Sequence, residues 1–251
     1  MKRIMLTVAY DGTGYCGWQV QPNAITVEGV INETLTKLLG EQITVIGASR
    51  TDSGVHAMGN VAVFDTESRI PGEKFSYALN QRLPEDIRIQ SSCEVPLDFH
   101  PRKVACSKTY QYRIVNREFP NPMKRLYAHF VYYKLDTEKM QEAANYLVGE
   151  HDFKSFCSIH TQVKDTVRRI YSIQVTKKED EILITIRGNG FLYNMVRIIA
   201  GTLLLVGLGN KKPEEIKEIL QAKNREVAGP TAPACGLTLF EIDYELLKVD
   251  Y

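Results

Sequence analysis

The chain has 251 residues, of which 44% are hydrophobic and 24% are charged, so it can form one large globular domain or two of ordinary size. Its formal net charge is only +1, and its charge-free apolar stretch at residues 198–210 is too short to cross a bilayer. With five cysteines, no Cys-x-x-Cys spacing and no visible signal peptide, we expect a cytoplasmic protein with reduced thiols and no membrane partner.

The apolar periodicity of the first half predicts the order strand, helix, two strands, helix, strand. The predicted strands are 3–10, 43–47, 59–65 and 87–95, and the predicted helices are 26–39 and 72–81. The second half repeats this order with one extra strand and with insertions. Its predicted strands are 108–115, 127–133, 168–176, 181–187 and 237–244, and its predicted helices are 137–147, one from about 191, and a short one after Pro213.

Each half therefore approximates the β-α-β-β-α-β unit of ferredoxin-like folds. We predict an α+β protein whose two ferredoxin-like halves have antiparallel sheets, joined edge to edge around a central cleft. The predicted domains are residues 1–103, which carry an acidic loop, and residues 104–251, which carry insertions.

The acidic loop is the polar turn at residues 47–57, with the sequence GASRTDSGVHA, between two predicted strands. Loops on a rigid scaffold carry function more often than framework residues do. Arg50 lies two residues from Asp52 and favours the ionised carboxylate, which is the form that a nucleophile or an electrostatic stabiliser needs. The alternative is a purely structural turn, because Asp, Ser and Gly are common turn residues.

A basic strip between residues 101 and 134 contains eight Lys or Arg residues and a single acid, Glu118. Five tyrosines are interleaved with these cations, so the strip suits a polyphosphate partner and offers stacking surfaces. Our candidates for contact with an RNA backbone are Arg102, Lys108 and Arg113. The alternative is a solvated strand edge whose lysines block aggregation.

The predicted helix from residue 191 is apolar nearly all round, which indicates deep burial, yet it contains Arg197. A buried guanidinium needs an anionic partner, because an unpaired buried charge is too costly. We predict that Arg197 pairs with Asp52 and lowers the pKa of that carboxyl. The alternative is a structural pair between Arg197 and another acid.

Two other motifs resemble a cofactor site and a metal site, but neither has the sequence context that such a site requires. Residues 12–17 satisfy G-x-G-x-x-G, but a loop follows them rather than the helix that a dinucleotide site requires. Cys157 and His160 could form half of a zinc site, but no second pair lies at a suitable spacing. We therefore expect no cofactor and no metal.

Eight segments of the chain together resemble the tRNA pseudouridine synthase A family. They are YDGT at 10–13, GWQVQP at 17–22, the loop at 47–57, FH at 99–100, KTYQY at 108–112, GEHDF at 149–153, GNGFLYNMVR at 188–197 and TAPACGL at 231–237. They occur in the family's order over nearly the whole chain. The loop departs from the family pattern at Ser49, where Gly is usual, and at Ser53, where Ala is usual.

The resemblance implies isomerisation of uridine to pseudouridine at positions 38, 39 and 40 of the tRNA anticodon stem-loop, by a homodimer. It makes Asp52 the nucleophile and Tyr110 the residue that stacks on the base. It also pairs Arg197 with Asp52 and gives Arg50 the task of displacing the target nucleotide. His56 either contacts the substrate or orients the loop.

Two other classes of function are also alternatives for this sequence. A non-catalytic ferredoxin-like RNA-binding module would explain the basic strip but not the Asp52 loop. A hydrolase acting at an anomeric carbon would normally use two carboxylates, and the neighbourhood of Asp52 offers a second only at Asp65.

Overall fold

The computed structural model describes residues 1–159, 163 and 165–244, which form two compact units. The first unit comprises residues 1–106 and the described residues from Leu239 onward, and the second comprises Ser107–Thr238. The predicted division at 103/104 is close to the first boundary. The last strand, however, groups with the first unit, because the Tyr244 hydroxyl donates to the Pro101 carbonyl and its ring packs on Phe99.

The first unit contains the predicted order of elements. These are β1 (Lys2–Tyr10), α1 (Val27–Leu39), β2 (Ile46–Gly47), β3 (His56–Thr66), a 3-10 turn (Gly72–Lys74), α2 (Phe75–Asn80) and β4 (Ile87–Val95). The last strand of the chain, β10 (Leu237–Tyr244), adds to this unit from Leu239.

The sheet of the first unit has the strand order β4-β1-β3-β10, and β2 also pairs with β3. β1 is antiparallel to both β3 and β4. Alternate residues of β1, namely Ile4, Leu6 and Val8, are fully buried, as expected for a strand with one face against helices. Helix α1 begins where Thr26 Oγ1 accepts from the Gly29 amide and ends at Gly40 in the left-handed conformation.

The second unit contains more elements than the first. They are β5 (Cys106–Asn116), β6 (His129–Val131), α3 (Thr137–Asn145), β7 (Gly149–Asp152), β8 (Val167–Lys178), β9 (Glu181–Gly188), α4 (Met195–Gly207) and α5 (Glu215–Ala222). Strands β5-β9-β8-β7 lie side by side with antiparallel neighbours, and β6 pairs in parallel with β5.

Helix α4 forms much of the core of the second unit, and eleven of its thirteen residues are buried. This confirms the deep burial predicted from its apolar sequence. Gly201 permits a close approach, because a Cβ there would lie 1.8 Å from the Pro230 carbonyl oxygen. None of the helices in the described part of the chain is long and apolar enough to span a membrane.

The α+β class is confirmed, and the pairs described for both sheets are antiparallel except for the short β5–β6 pair. The helices predicted at 72–81 and 137–147 differ at their ends, since α2 is Phe75–Asn80 and α3 ends at Asn145. Three other predicted elements are clearly shorter than expected. The strand at 43–47 is limited to 46–47, the strand at 127–133 to 129–131, and the helix from 191 begins only at Met195. The helix starts late because Asn194 has a φ of 60°, which is incompatible with a right-handed helix. The edge-to-edge joining around a cleft stays a prediction.

Candidate active site

Asp52 lies on the loop between β2 and β3 of the first unit, where it is half-buried. The loop is a tight turn in which the Val55 amide donates to the Asp52 carbonyl at 3.1 Å and Gly54 has a φ of 75°. Arg50 is exposed on the same loop. The structure therefore brings Arg50 and Asp52 together on one irregular segment between two strands.

A second loop, the glycine-rich segment at residues 11–18, supports the Asp52 loop through backbone contacts. The Trp18 amide donates to the Thr51 carbonyl at 3.0 Å, on the N-terminal side of Asp52. On its C-terminal side, the Tyr15 carbonyl accepts from the Ser53 hydroxyl at 3.2 Å and from the Gly54 amide at 3.4 Å. The backbone on both sides of Asp52 is thus held by one segment.

Two glycines allow this close approach. A Cβ on Gly12 would lie 2.0 Å from the Val55 carbonyl oxygen, and a Cβ on Gly17 would lie 2.6 Å from the Thr51 carbonyl oxygen. Gly17 also has a φ of 84°, which favours glycine. The G-x-G-x-x-G pattern therefore serves contact between two loops, and no helix follows it before Val27.

His56 begins β3 with its side chain buried. Its Nδ1 accepts from the Gly12 amide at 3.1 Å and lies 3.1 Å from Asp11 Oδ1. Of the two roles left open by the sequence, this geometry favours orientation of the loop over contact with a substrate.

Aromatic side chains anchor the glycine-rich segment itself. Trp18 is 1% exposed and packs so closely on Gly47 that a Cβ there would lie 2.3 Å from its Nε1. Trp18, the single tryptophan of the chain, is thus a buried packing residue. The Tyr15 hydroxyl donates to Asp86 Oδ1 at 2.6 Å, and burial together with this bond raises the pKa of Tyr15. Sequence reasoning missed Asp86, which gave no local signal.

In the second unit, Arg197 lies in the first turn of α4, half-buried among buried neighbours. Its Nε donates to the Ala232 carbonyl at 2.7 Å, and its Nη1 donates to Asn194 Oδ1 at 2.9 Å. The Ala232 amide in turn donates to the Arg197 carbonyl at 3.1 Å. The guanidinium is therefore oriented by two acceptors within its own unit.

Asn194 links this arginine to another segment of the second unit. Its Nδ2 donates to the Ser158 hydroxyl at 2.8 Å, and the Ser158 amide donates to the Tyr193 carbonyl at 3.1 Å. Asn is among the residues that best tolerate a left-handed conformation. Asn194 can therefore adopt that conformation directly before α4 and still bond Arg197. Asn194 precedes Arg197 by three residues, and this spacing is the sequence signal that could have found the pair.

Tyr110 lies on β5 and is 8% exposed, with its ring edge-on to Phe191 at a centroid distance of 5.1 Å. Its neighbour on the same face, Tyr112, is fully buried and donates to the Pro233 carbonyl at 2.9 Å. Burial raises the pKa of Tyr112. The KTYQY segment thus places one tyrosine in the core and leaves the other near the surface of that core.

The basic strip is less uniform in the structure than in the sequence. Two acids at the turn between β8 and β9, Asp180 and Glu181, neutralise part of it. Arg117 lies 3.1 Å from Asp180, and Lys124 lies 3.2 Å from Asp180 and 2.8 Å from Glu181. These bonds raise the pKa of Lys124 and lower that of Asp180.

The three cations predicted to contact an RNA backbone differ accordingly. Arg113 is exposed, but its Nε lies 3.9 Å from a Glu181 carboxylate oxygen, so part of its charge is compensated within the protein. Arg102 is exposed and Lys108 is half-buried. The pairing of Arg113 weakens its candidacy relative to Arg102.

Across the described residues, no group of three or more His, Cys, Asp or Glu side chains is arranged to hold a metal ion. Cys157 is buried, and His160 lies outside the described residues, so the half-site weighed in the sequence has no structural test.

A model of the tRNA pseudouridine synthase family matches residues 6–102 and 143–245 of this chain. These ranges include Arg50, Asp52, His56 and Arg197. The chain belongs to the tRNA pseudouridine synthase family.

Curated relatives match over nearly the full length. A protein of Brevibacillus brevis named tRNA pseudouridine synthase A is 51% identical over 244 residues, which cover 97% of this chain and 100% of the relative. A protein of the same name from Ruminiclostridium cellulolyticum is 52% identical over 245 residues, with the same coverage. A solved complex of Cbf5, Nop10 and Gar1 matches 80% of this chain and 54% of that chain at 14% identity, with a TM-score of 0.35, which is too weak to support a conclusion.

Proposed function

We propose that this protein isomerises uridine to pseudouridine in the anticodon stem-loop of tRNA, at positions 38, 39 and 40. The proposal is carried by its similarity, over 97% of the chain and at 51 and 52% identity, to two proteins named tRNA pseudouridine synthase A. Asp52 lies on a loop whose backbone is held on both sides of the residue, and this supports the same proposal.

The reaction needs no redox cofactor and no group donor, because uridine and pseudouridine contain the same atoms. The C1′–N1 bond breaks, the base turns within the pocket and a C1′–C5 bond forms. C5 then loses its proton and N1 gains one, so protons balance. What the protein must supply is a group that assists the departure of the base and a pocket that holds the detached base.

Asp52 is the acidic side chain that we assign to this step. Its carboxylate can attack C1′, add to C6 of the base or remove a ribose proton, and each role requires the ionised form. We propose that Arg197 pairs with it and lowers its pKa. The two bonds that orient the Arg197 guanidinium, to Ala232 and Asn194, support this role because they fix the plane of the fork that would bond a carboxylate.

The target nucleotide must leave its stack to reach Asp52, at a cost of about a few kcal/mol. Arg50 is exposed two residues from Asp52, and we propose that it occupies the gap that the nucleotide leaves. Tyr110 is proposed to stack on the extruded base, which offsets part of the cost. We propose that His56 supports the loop rather than contacting the base, because its Nδ1 accepts from the Gly12 amide.

The backbone of the tRNA is proposed to lie along the basic strip, with Arg102 and Lys108 as its principal contacts and Arg113 as a weaker one. We expect the affinity for tRNA to fall with salt, and the replacement of Arg102 to reduce the salt slope by about one unit. A flat salt response would remove the strip from the interface. We also propose that the protein is cytoplasmic and that it forms a homodimer. Sedimentation of the purified protein tests the homodimer.

The decisive experiment incubates the protein with an unmodified tRNA transcript and measures pseudouridine at each position. We expect product at positions 38 to 40, and a loss on the order of 10⁴-fold in Asp52→Asn with tRNA affinity retained. Binding without product in the wild-type protein would instead indicate a non-catalytic RNA-binding module. Release of free uracil would indicate a hydrolase.

A further inference from the structure

A network of buried hydrogen bonds joins the Asp52 loop to β1 and β3, and it is distinct from the contacts made by the glycine-rich segment. The Tyr10 hydroxyl, at the end of β1, lies 2.7 Å from Thr51 Oγ1. The Asn60 amide, on β3, donates through Nδ2 to the Ser49 carbonyl at 3.0 Å and to the Tyr10 hydroxyl at 3.4 Å. Because Tyr10 accepts from Asn60, its own proton is available to Thr51.

All four residues of this hydrogen-bond network are buried. Asn60 is 0%, Tyr10 4%, Ser49 7% and Thr51 8% exposed. An amide at a fully buried strand position is costly unless its polar atoms are bonded. Asn60 meets that condition, since its Oδ1 also accepts from the Val61 amide at 2.9 Å. This set of partners also defines the orientation of the amide, because the flipped amide would place two oxygens together.

The anchored atoms have a specific position along the loop. Ser49 and Thr51 flank Arg50, and Thr51 precedes Asp52. Their two anchors come from β1 and β3, which pair along most of their length and form a rigid base. Motion of the loop relative to the sheet would break bonds at both Ser49 and Thr51.

We propose that Asn60 and Tyr10 are positioning residues for Asp52. They hold the loop backbone on the two strands, so that the carboxylate meets the reacting nucleoside in one geometry. This inference rests on the proposed pseudouridine synthase activity. It predicts an effect on turnover rather than on tRNA binding, since a displacement of about 1 Å at a reacting group can cost about 100-fold in rate.

The test compares two variants with two matched controls in the same unit. Tyr10→Phe removes the hydroxyl that meets Thr51, and Tyr244→Phe removes an equally buried hydroxyl that bonds the Pro101 carbonyl. Asn60→Asp removes the donor to Ser49, and Asn80→Asp removes a donor to the Ile89 carbonyl at 2.9 Å, away from the loop. Single-turnover rates, tRNA dissociation constants and thermal unfolding are measured for all four.

We expect kcat to fall about 10-fold in Tyr10→Phe and about 100-fold in Asn60→Asp, with tRNA affinity within about two-fold of the wild type. The controls should retain wild-type rates, even where their melting temperatures fall as much as those of the test variants. A loss of stability alone cannot produce this difference between kcat and binding.

Asn60→Asp also provides a pH profile that a structural role would not produce in a folded enzyme. Burial raises the pKa of the introduced carboxyl, and its protonated form can donate to Ser49 as the amide does. The rate of Asn60→Asp relative to wild type should therefore rise as the pH falls. Asn80→Asp should show a flat ratio over the same range.

The outcomes separate this inference from the proposed function. An inactive wild-type protein overturns the proposed function itself. An active wild type with test variants as fast as their controls overturns the positioning role alone, and so does a parallel loss of rate and tRNA affinity. If Asn60→Asp fails to fold, Tyr10→Phe against Tyr244→Phe decides the question.

Discussion

The two charged side chains at the centre of the proposed reaction, Asp52 and Arg197, are held in different ways. Asp52 lies on an irregular loop whose backbone contacts a second loop at Gly12 and Gly17. Arg197 lies on a regular helix, and its side chain is oriented by the Ala232 carbonyl and the Asn194 amide oxygen. The position of Asp52 depends in part on glycines that let backbone contact backbone, whereas the position of the Arg197 guanidinium depends on side-chain and carbonyl acceptors.

This difference determines which substitutions are harmful in each unit. Around Asp52, an added methyl group displaces the loop because backbone atoms occupy the space. Around Arg197, added volume matters less than loss of an acceptor or of the shape of the guanidinium. Four substitutions, in order of expected effect, test the contrast.

The largest effect is expected for Gly17→Ala. The new Cβ would lie 2.6 Å from the Thr51 carbonyl oxygen, and the φ of 84° is unfavourable for Ala by about 1–2 kcal/mol. We expect a loss of kcat of about 100-fold or more, measured on unmodified tRNA.

Gly14→Ala is the matched control, because nothing lies within 4 Å of a Cβ at that glycine. It should retain wild-type turnover and stability. Equal losses in both variants would mean that the segment needs general flexibility rather than close approach to the Asp52 loop.

Arg197→Lys should have the next largest effect, with a loss of kcat of about 10- to 100-fold at nearly unchanged tRNA affinity. Lysine keeps the charge but lacks the planar fork that bonds Ala232 and Asn194, and that we propose pairs with Asp52. Turnover and binding are measured together, with Arg197→Met as the variant that removes the charge as well. Full activity of Arg197→Lys would show that charge alone suffices there.

Much of the fold was predictable because its elements have strong local signals. Strand 87–95 coincides with β4, and the helix predicted at 26–39 agrees with α1 to within one residue. The prediction failed where tertiary contacts override local pattern. The apolar run at 191–194 reads as helix, yet Asn194 adopts a left-handed conformation that serves Arg197 and Ser158.

The candidate site was only partly predictable for the same reason. Asp52 and Arg197 could be found because a lone carboxylate in a polar turn and a cation in an apolar helix are unusual. The pairing of Arg117 with Asp180 joins residues 63 positions apart, so the sequence showed a basic strip where the protein has a partly neutralised one. The contacts of Gly12 and Gly17 with the Asp52 loop also join residues that are far apart in the sequence, so they too could not be predicted.

Asn194→Gly should have a smaller effect, a loss of kcat of about 10-fold. Glycine accepts the φ of 60°, so this change removes only the side-chain bonds to Arg197 and Ser158. The control is Asn23→Gly, another left-handed Asn, which is exposed on a loop of the first unit. If both variants turn over normally, the Ala232 carbonyl alone is enough to orient Arg197.

The smallest effect is expected for Asp65→Asn, at a pair that joins an arginine to a carboxylate for structure alone. Arg3 Nε and Nη2 each lie 2.7 Å from an Asp65 oxygen, and these hydrogen bonds lower the pKa of Asp65 despite the opposing effect of burial. Because the folded pKa is lowered, the stabilisation is complete above the ordinary value of 3.8 and is lost as the pH falls through the folded value.

Asp65→Asn should therefore lower the free energy of unfolding near neutral pH by about 1 kcal/mol or less, since Asp65 is a third exposed and screened. Urea titrations at a series of pH values should show this difference shrinking below about pH 4, with kcat unchanged throughout. A fall in kcat would contradict the proposed division of roles, in which Arg3 and Asp65 stabilise the first unit while Asp52 and Arg197 serve the reaction. Such a result would mean that a guanidinium–carboxylate pair on β1 and β3 also determines the geometry of the loop between β2 and β3.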